Sequence, residues 1–448
     1  MKDIVGIIRN INMKLLLLLL VVCTHAGAQN RITLVEVDSL EELLKLARIQ
    51  NPDVKSYELN VTKRNYDVKT SKAARLPSIA GSFSGQRNLA LATTPVPGEF
   101  FGQPGTTVNA QFGQEYAYNA GITISKSFLD RQTSLKIKMA QLTLEAAEVQ
   151  QDAYFQLLNQ QVSLNYYSLL IAKRAIALAE KNIEIADSIA LLGEQRFQEG
   201  LVDALAVNQA RINTNVTKQN LNSSKQLYEN SNNELKMLLG LGDDDTLKVL
   251  ANIQYELPLM YGASDLRPND NIRLASLNKD QAQNQVKIQK SMFLPKVSIA
   301  SYYGKQQFVE NFEIDFGNST WSNYRYLGLN LSLPILTGFS NQNKLKASRV
   351  DLELAENELT KTNLKSQMQD IRLITEYHTS IKNTHLAMEA FQLYEQNERL
   401  TLQKYSEGMI SLDRYLYAFE DYLKAENAFL NTLLNTYSYY SQIIPRIQ

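Results

Sequence analysis

From about Gln132 to Gln198 the chain gives a helix no place to stop, for the stretch holds no proline and a single glycine, Gly193, near its end. At ~1.5 Å per residue such a helix is roughly 100 Å long, more than an ordinary globular domain accommodates. Its apolar residues follow two tracks. Leu157, Leu164, Ile171, Leu178, Ile185 and Leu192 recur every seven residues, the spacing of a coiled-coil seam. Val162, Leu169, Ile176, Ile183 and Phe197 form the second, with Ala190 filling its one gap. The tracks lie five positions apart, roughly 140° around a helix turning ~100° per residue. A two-stranded coiled coil needs one seam, so two separated seams predict a helix wedged between two neighbours, as in the wall of a ring.

The second half of the chain repeats this plan. Its track carries Leu386, Leu393 and Leu400. Asn51–Pro77 lies without gaps over Asn269–Pro295, each a helical pattern ending in Leu-Pro, and Gly121–Asp130 lies over Gly328–Thr337. The stretch "QRFQEGLVDALAVNQAR" (Gln195–Arg211) is echoed by "QKYSEGMISLDRYLYA" (Gln403–Ala418). Three anchors in one order predict an internal duplication. The expected repeats are 29–250 and 251–448. The first would hold a helix over about Ser39–Arg75, a strand pair about 77–128, a long helix about 132–198 and a return helix about 203–239. The second would hold a helix, a strand pair about 295–336, a long helix about 340–407 and a return helix about 412–443.

The strands alternate. Tyr116, Tyr118, Ala120, Ile122 and Ile124 interleave with Ala117, Asn119, Gly121 and Thr123; Leu327, Leu329, Leu331 and Leu333 interleave with Gly328, Asn330 and Ser332. Period two with one apolar face suits a soluble sandwich or a membrane barrel. One hairpin per repeat makes a poor sandwich. The strands are also crowded with aromatics that suit a girdle at the lipid–water boundary: Tyr116, Tyr118, Tyr302, Trp321, Tyr324 and Tyr326. Asn88–Phe112 and Gln306–Ser319, rich in turn residues, are expected as outward loops. Four strands cannot close a barrel alone, because small barrels need about eight, so symmetric oligomerisation is expected. A trimer would give twelve strands and twelve helical columns.

The remaining features bound the location. Lys2, Arg9 and Lys14, the apolar run Leu15–Val22 and a small-residue site after Ala28 read as a signal peptide over 1–28. Lipid attachment at Cys23 is the competing reading, against which the bulky Val22 argues. Removal of that segment leaves no cysteine, hence no disulfide and no thiolate site. Lys plus Arg balance Asp plus Glu at 46 each, which gives no electrostatic case for nucleic acid. No later stretch is apolar enough for a helical membrane span.

With element order, duplication and glycine turns on the page, the chain resembles the TolC-type outer-membrane efflux proteins over essentially its whole mature length. The closest correspondence is Gln195-Arg196-Phe197, Gly200-Leu201-Val202 and Ala210-Arg211, which match that family's first periplasmic turn. The resemblance implies a mainly α fold with a membrane β-barrel. It further implies a homotrimer in the outer membrane of a Gram-negative bacterium, with four strands per chain closing a 12-stranded β-barrel that continues into a 12-column α-helical barrel. An adaptor (membrane fusion) protein and an inner-membrane transporter of the RND or ABC type would be its partners, besides outer-membrane lipid. Arg196, Gly200, Leu201, Val202, Lys404, Gly408, Met409 and Ile410 would meet the adaptor. The family's gate aspartates fall here on Arg414, Tyr417 and Ala206, while Tyr405 keeps the family's aromatic and Asp203 and Asp413 lie off register. A gate in which Tyr405 and Arg414 pair with Asp203 or Asp413 is the expectation, against a solvated Arg414.

No catalytic constellation, cofactor motif or metal site is expected. His378 and His385 stand ~10 Å apart on a helix, too far for one metal. "GDDD" at Gly242–Asp245 lacks the spaced ligands of a calcium loop. The alternative to an exit duct is a periplasmic coiled-coil adaptor, which the duplicated strand pairs disfavour.

Overall fold

The computed structural model describes residues 34–253, 260–314 and 321–447. The expected signal segment lies outside them. In chain order the elements are β1 (Leu34–Val37), α1 (Leu40–Gln50), α2 (Pro52–Ala73), β2 (Ser78–Arg87), β3 (Thr93–Pro97), β4 (Thr107–Gln111), β5 (Tyr116–Leu129), α3 (Arg131–Gln198), α4 (Ala204–Leu238), β6 (Thr246–Val249), α5 (Asp270–Ser291), β7 (Lys296–Val309), β8 (Trp321–Ser332), α6 (Ser340–Ser406) and α7 (Leu412–Ile447). These residues fall into two compact units. One holds 34–51, 161–253 and 384–437, the other 52–160, 260–314, 321–383 and 438–447.

The first unit is a bundle built on α3, α4, α6 and α7. Its core is the stripe that α7 presents at spacings of three and four: Leu412, Tyr415, Leu416, Phe419, Tyr422, Leu423, Phe429 and Leu433, all buried. Phe391 of α6 stacks on Phe429 at 5.6 Å and on Tyr422 at 5.8 Å. Val162 and Leu169 of one track on α3, and Ile171 and Leu178 of the other, are all buried within this unit. On α6 the corresponding track stays bare, with Leu386, Leu393 and Leu400 at 63%, 57% and 49% exposure, so it lacks a covering neighbour within the chain. A parallel pair, β1 with β6, completes the unit.

The second unit contains an antiparallel sheet in the order β2-β5-β7-β8. β2 and β7 begin one residue after Pro77 and Pro295, where proline ends the helical pattern. Beside the sheet, α5 packs on α3 through Leu277 against Leu142, Ala146 and Val149. Asn284 Nδ2 donates to the Leu135 carbonyl at 2.9 Å.

Three expectations are corrected. The helix expected over Ser39–Arg75 is two helices, because Pro52 lacks an N–H and holds Asn51 extended at φ −62°, ψ 125°. Asn51 turns that break to use by donating Nδ2 to the Leu238 carbonyl at 2.9 Å. The stretch Asn88–Phe112 is not irregular throughout, since β3 and β4 pair within it from Thr93↔Gln111 to Pro97↔Thr107, with Val96 opposite Val108. Gln306–Val309, expected as loop, continues β7 opposite Tyr116–Asn119. Among the described residues there are therefore two small strand pairs beyond the four-stranded sheet.

Gly121 and Gly304 are opposite one another in β5 and β7, and the Tyr302 ring lies across both. A Cβ at Gly121 would stand 2.6 Å from that ring. Gly121→Ala should therefore cost about 1–3 kcal/mol through overpacking. Gly200→Ala, which meets nothing within 4 Å, should cost only the ~1 kcal/mol of a left-handed backbone. Thermal melts followed by circular dichroism compare the two, and equal losses would contradict the close packing at Tyr302.

Candidate functional site

Two helix ends in the first unit terminate identically. Gly200 (φ 72°) and Gly408 (φ 73°) adopt the left-handed conformation that glycine takes without a Cβ penalty. Leu201 N donates to Arg196 O at 2.8 Å and Gly200 N to Phe197 O at 2.9 Å; Met409 N donates to Lys404 O and Gly408 N to Tyr405 O at 2.9 and 3.0 Å. Each is a Schellman closure, which satisfies the last carbonyls of a long helix and turns the chain back. Leu201 and Met409, the residues after the glycines, are 69% and 67% exposed. Val202 and Ile410 are half-buried, and Lys404 is exposed.

Behind the turns the candidate gate residues make the following contacts within the chain. Asp203 is the N-cap of α4, its Oδ1 accepting Ala206 N at 2.9 Å, so its carboxylate serves its own helix. Ala206 is buried. Tyr405 is buried too. Its ring lies beneath the Arg196 guanidinium at 4.7 Å and stacks on Tyr415 at 5.9 Å. Arg196 thus ties the first turn to the second through a cation–π contact. Asp413 is half-buried, whereas Arg414 and Tyr417 are exposed on α7.

Deeper in this unit lie polar residues that sequence reasoning passed over. Tyr415 donates its hydroxyl to Glu398 Oε1 at 2.8 Å, with both residues buried. Asn182 donates Nδ2 to Glu426 Oε2 at 2.8 Å and accepts the Tyr422 hydroxyl at 3.3 Å. Burial pushes both carboxyls above the usual carboxylate range, against the opposing pull of these hydrogen bonds. Burial likewise pushes the Tyr415 and Tyr422 hydroxyls upward, followed by the adjoining carboxylates. A signal was present in the sequence. Glu426 sits on the same three-and-four stripe as Tyr422, Phe429 and Leu433, where a charge is out of place.

The register of the large sheet sorts its side chains onto two faces. One carries Ile79, Phe83, Tyr116, Tyr118, Ile122, Ile124, Ile299, Tyr303, Trp321, Leu327, Leu329 and Leu331. The other carries Ser82, Ser84, Asn119, Thr123, Ser125, Ser298, Asn330 and Ser332, together with Tyr302, Tyr324 and Tyr326. The six aromatics expected in a single girdle are thereby divided, three on each face. Leu327, Leu329 and Leu331 are 77%, 70% and 68% exposed, so this part of the apolar face is uncovered in the single chain, whereas Tyr118 and Gln307 on the same face are buried. β2 and β8 are the sheet's edges, each paired on one side.

His378 Nε2 lies 2.8 Å from the Tyr261 carbonyl, and His385 is exposed. Asp245 closes the acidic turn on itself, accepting Gly242 N at 2.7 Å. Among the described residues no cluster of His, Cys, Asp and Glu is arranged to hold a metal, and no helix is long and apolar enough to cross a membrane.

Comparison with known proteins agrees with this geometry. The family model described as outer membrane efflux protein matches residues 43–241 and 265–442. A curated relative, the probable efflux pump outer membrane protein TtgC of Pseudomonas putida, is 22% identical over 331 residues, covering 72% of this chain. The chain spans 65% of that relative's length. Among solved structures, the CmeC outer membrane channel of Campylobacter jejuni superposes with a TM-score of 0.73 at 20% identity, over 91% of this chain and 84% of that one. The outer membrane protein VceC of Vibrio cholerae gives 0.72 at 17% identity, over 90% and 95%. At these identities the likeness is one of fold.

Two variants test the buried pairs. Tyr415→Phe leaves the Glu398 carboxylate buried without its donor and should cost about 1–3 kcal/mol, most of it recovered when Glu398→Leu is added. A double-mutant cycle of denaturation midpoints reads the coupling. For Glu426 the folded protein binds the proton more tightly than the unfolded chain, so its contribution is fully present below the ordinary carboxylate pKa and is lost as pH rises through the elevated one. Glu426→Gln should accordingly raise the melting temperature above neutral pH and leave it unchanged near pH 4, with melts across that range as the measurement.

Proposed function

The chain belongs to the outer membrane efflux protein family, and from that premise we propose that it forms the outer-membrane exit duct of a tripartite efflux pump or type I secretion system. In this reading it conducts cargo passively and performs no chemistry. The observation that carries the reading is the four-stranded sheet with one apolar face whose leucines are uncovered, one polar face and two open edges. Hydrocarbon accepts no unpaired backbone edge, so such a sheet in a bilayer must be closed by further strands. About eight strands are the least that encloses a bore, and three copies of a four-stranded sheet supply twelve. The apolar face would meet lipid and the polar face the water of the bore. Tyr116, Tyr118 and Trp321 are the aromatics that would lie at the lipid boundary.

The helical part supports the same assembly. The bare stripe Leu386, Leu393 and Leu400 on α6 needs a neighbour, as do Leu205 and Ile212 on α4, at 66% and 52% exposure. A second copy is the economical partner, because it would cover both stripes at every interface of a closed ring. We read residues 29–250 and 251–448 as two copies of one ancestral unit. Each holds, in order, a helical segment (α1 and α2 in the first, α5 in the second), two strands of the large sheet, a long helix, a glycine turn and a returning helix.

The turns at Gly200 and Gly408 would face the periplasmic adaptor and the inner-membrane transporter. Arg196, Leu201, Val202, Lys404, Met409 and Ile410 surround them. With Tyr405 engaged by Arg196 and Tyr415, Arg414 and Tyr417 are the residues free to line the aperture.

Fractionation and reconstitution test the proposal together. The protein should be recovered from the outer-membrane fraction in detergent, weigh as three chains by light scattering, and open stable conductance steps in planar lipid bilayers. Cysteines placed at Gln198 and Ser406 should crosslink to an adaptor in cells. A water-soluble monomer recovered from the periplasm would overturn it.

A further inference from the structure

The polar face of the sheet is made almost wholly of small or neutral side chains. Its strand residues include serines, Asn119, Thr123, Gly121 and Gly304, and they carry one formal charge, Lys296. Lys296 is six residues from Tyr302 on β7, ~20 Å away along a strand, and donates to Gln132 Oε1 at 2.7 Å. Phe308 lies on the same face, six residues from Tyr302 along β7, and apart from it the large side chains of this wall form one cluster. Tyr302 stacks on Tyr326 at 5.9 Å with ring planes 13° apart, Tyr324 lies 5.6 Å from Tyr302, and Tyr324 lies 5.8 Å from Tyr326.

The cluster is built into the backbone. Tyr302 is 9% exposed because its ring fills the space that side chains at Gly121 and Gly304 would occupy, so it lies along the wall. Tyr324 and Tyr326, at 42% and 46% exposure, rest on it with ring surface open. Tyrosine faces carry negative quadrupole potential and attract cations and flat π-systems. Among the described strand residues that face carries no carboxylate, and Arg325 and Lys305 belong by register to the opposite face.

We propose that Tyr324 and Tyr326, seated on Tyr302, form a stacking station for planar aromatic cations on the wall of the bore. This rests on the duct reading above, in which the polar face looks inward. Three chains would carry three such stations at one level, each holding cargo weakly enough to release it.

Single-channel recording on the full-length protein in planar bilayers tests this, with ethidium as the planar aromatic cation and tetrabutylammonium as an aliphatic cation. Ethidium should produce partial blockades whose dwell time falls about tenfold in Tyr324→Ser/Tyr326→Ser. Tyr324→Phe/Tyr326→Phe should keep them, since the rings and not the hydroxyls do the binding. Tetrabutylammonium, which the rings attract by its charge but cannot stack, should block more briefly than ethidium and lose less of its dwell time when the rings are removed. If the paired serine variant inserts no channels, Tyr324→Ser and Tyr326→Ser singly should each shorten the dwell about threefold. Unchanged ethidium dwell times in channels that open normally would overturn the station and leave the duct intact. Absence of any conductance from the wild-type protein would overturn both.

Discussion

An antiparallel sheet with two free margins is an unfinished object. Among the described residues β2 and β8 each pair with a strand on one side only, and the leucines of the sheet's apolar face are uncovered. Water could solvate the margins but not the face; lipid would accept the face but not the margins. The two demands are met together only when the sheet closes on further strands. On the proposed duct reading, closure by further copies would also multiply the helices attached to the sheet.

The helical bundle shows a complementary logic. Its interior is not purely apolar. Glu398 is buried with a donor from Tyr415 and Glu426 with one from Asn182, and Asn213 donates Nδ2 to the Leu416 carbonyl at 3.0 Å. Buried polar pairs contribute little net stability, since desolvation offsets the attraction, but a mispaired arrangement strands a charge in the core. In long helices whose apolar seams tolerate sliding by a heptad, such pairs distinguish one register from another. The Arg196–Tyr405 contact does the same between the two turns.

Much of the architecture was legible because its signals are local and periodic. The absence of proline from Gln132 to Gln198 and the heptad leucines announce a long helix, and a helix of 68 residues forms. Alternation at Leu327, Leu329 and Leu331 announces a strand with one apolar face, and the register places those three together. Glycine between an aromatic–x–Glu and two apolar residues marks a helix end, and Gly200 and Gly408 are left-handed. Pro52 splits a helix that hydrophobic rhythm alone would continue, because its missing N–H and its ring outweigh that rhythm. The loop residues Thr93–Gln111 form a hairpin that turn-rich composition concealed.

The sequence alone determined which segments are helix or strand, and which face of each is apolar, because backbone sterics and side-chain periodicity act within a few residues. It could not decide what each polar side chain does. Asp203 looked like a gate residue and is a helix cap; Tyr302, Tyr324 and Tyr326 looked like lipid anchors and lie on the serine-rich face. Glu426 interrupts an apolar stripe, but that it is buried against Asn182, 244 residues away in the chain, only the packing shows. Those outcomes depend on register and packing between distant segments, where a shift of one residue exchanges the two faces of a strand. Only the tertiary structure fixes them.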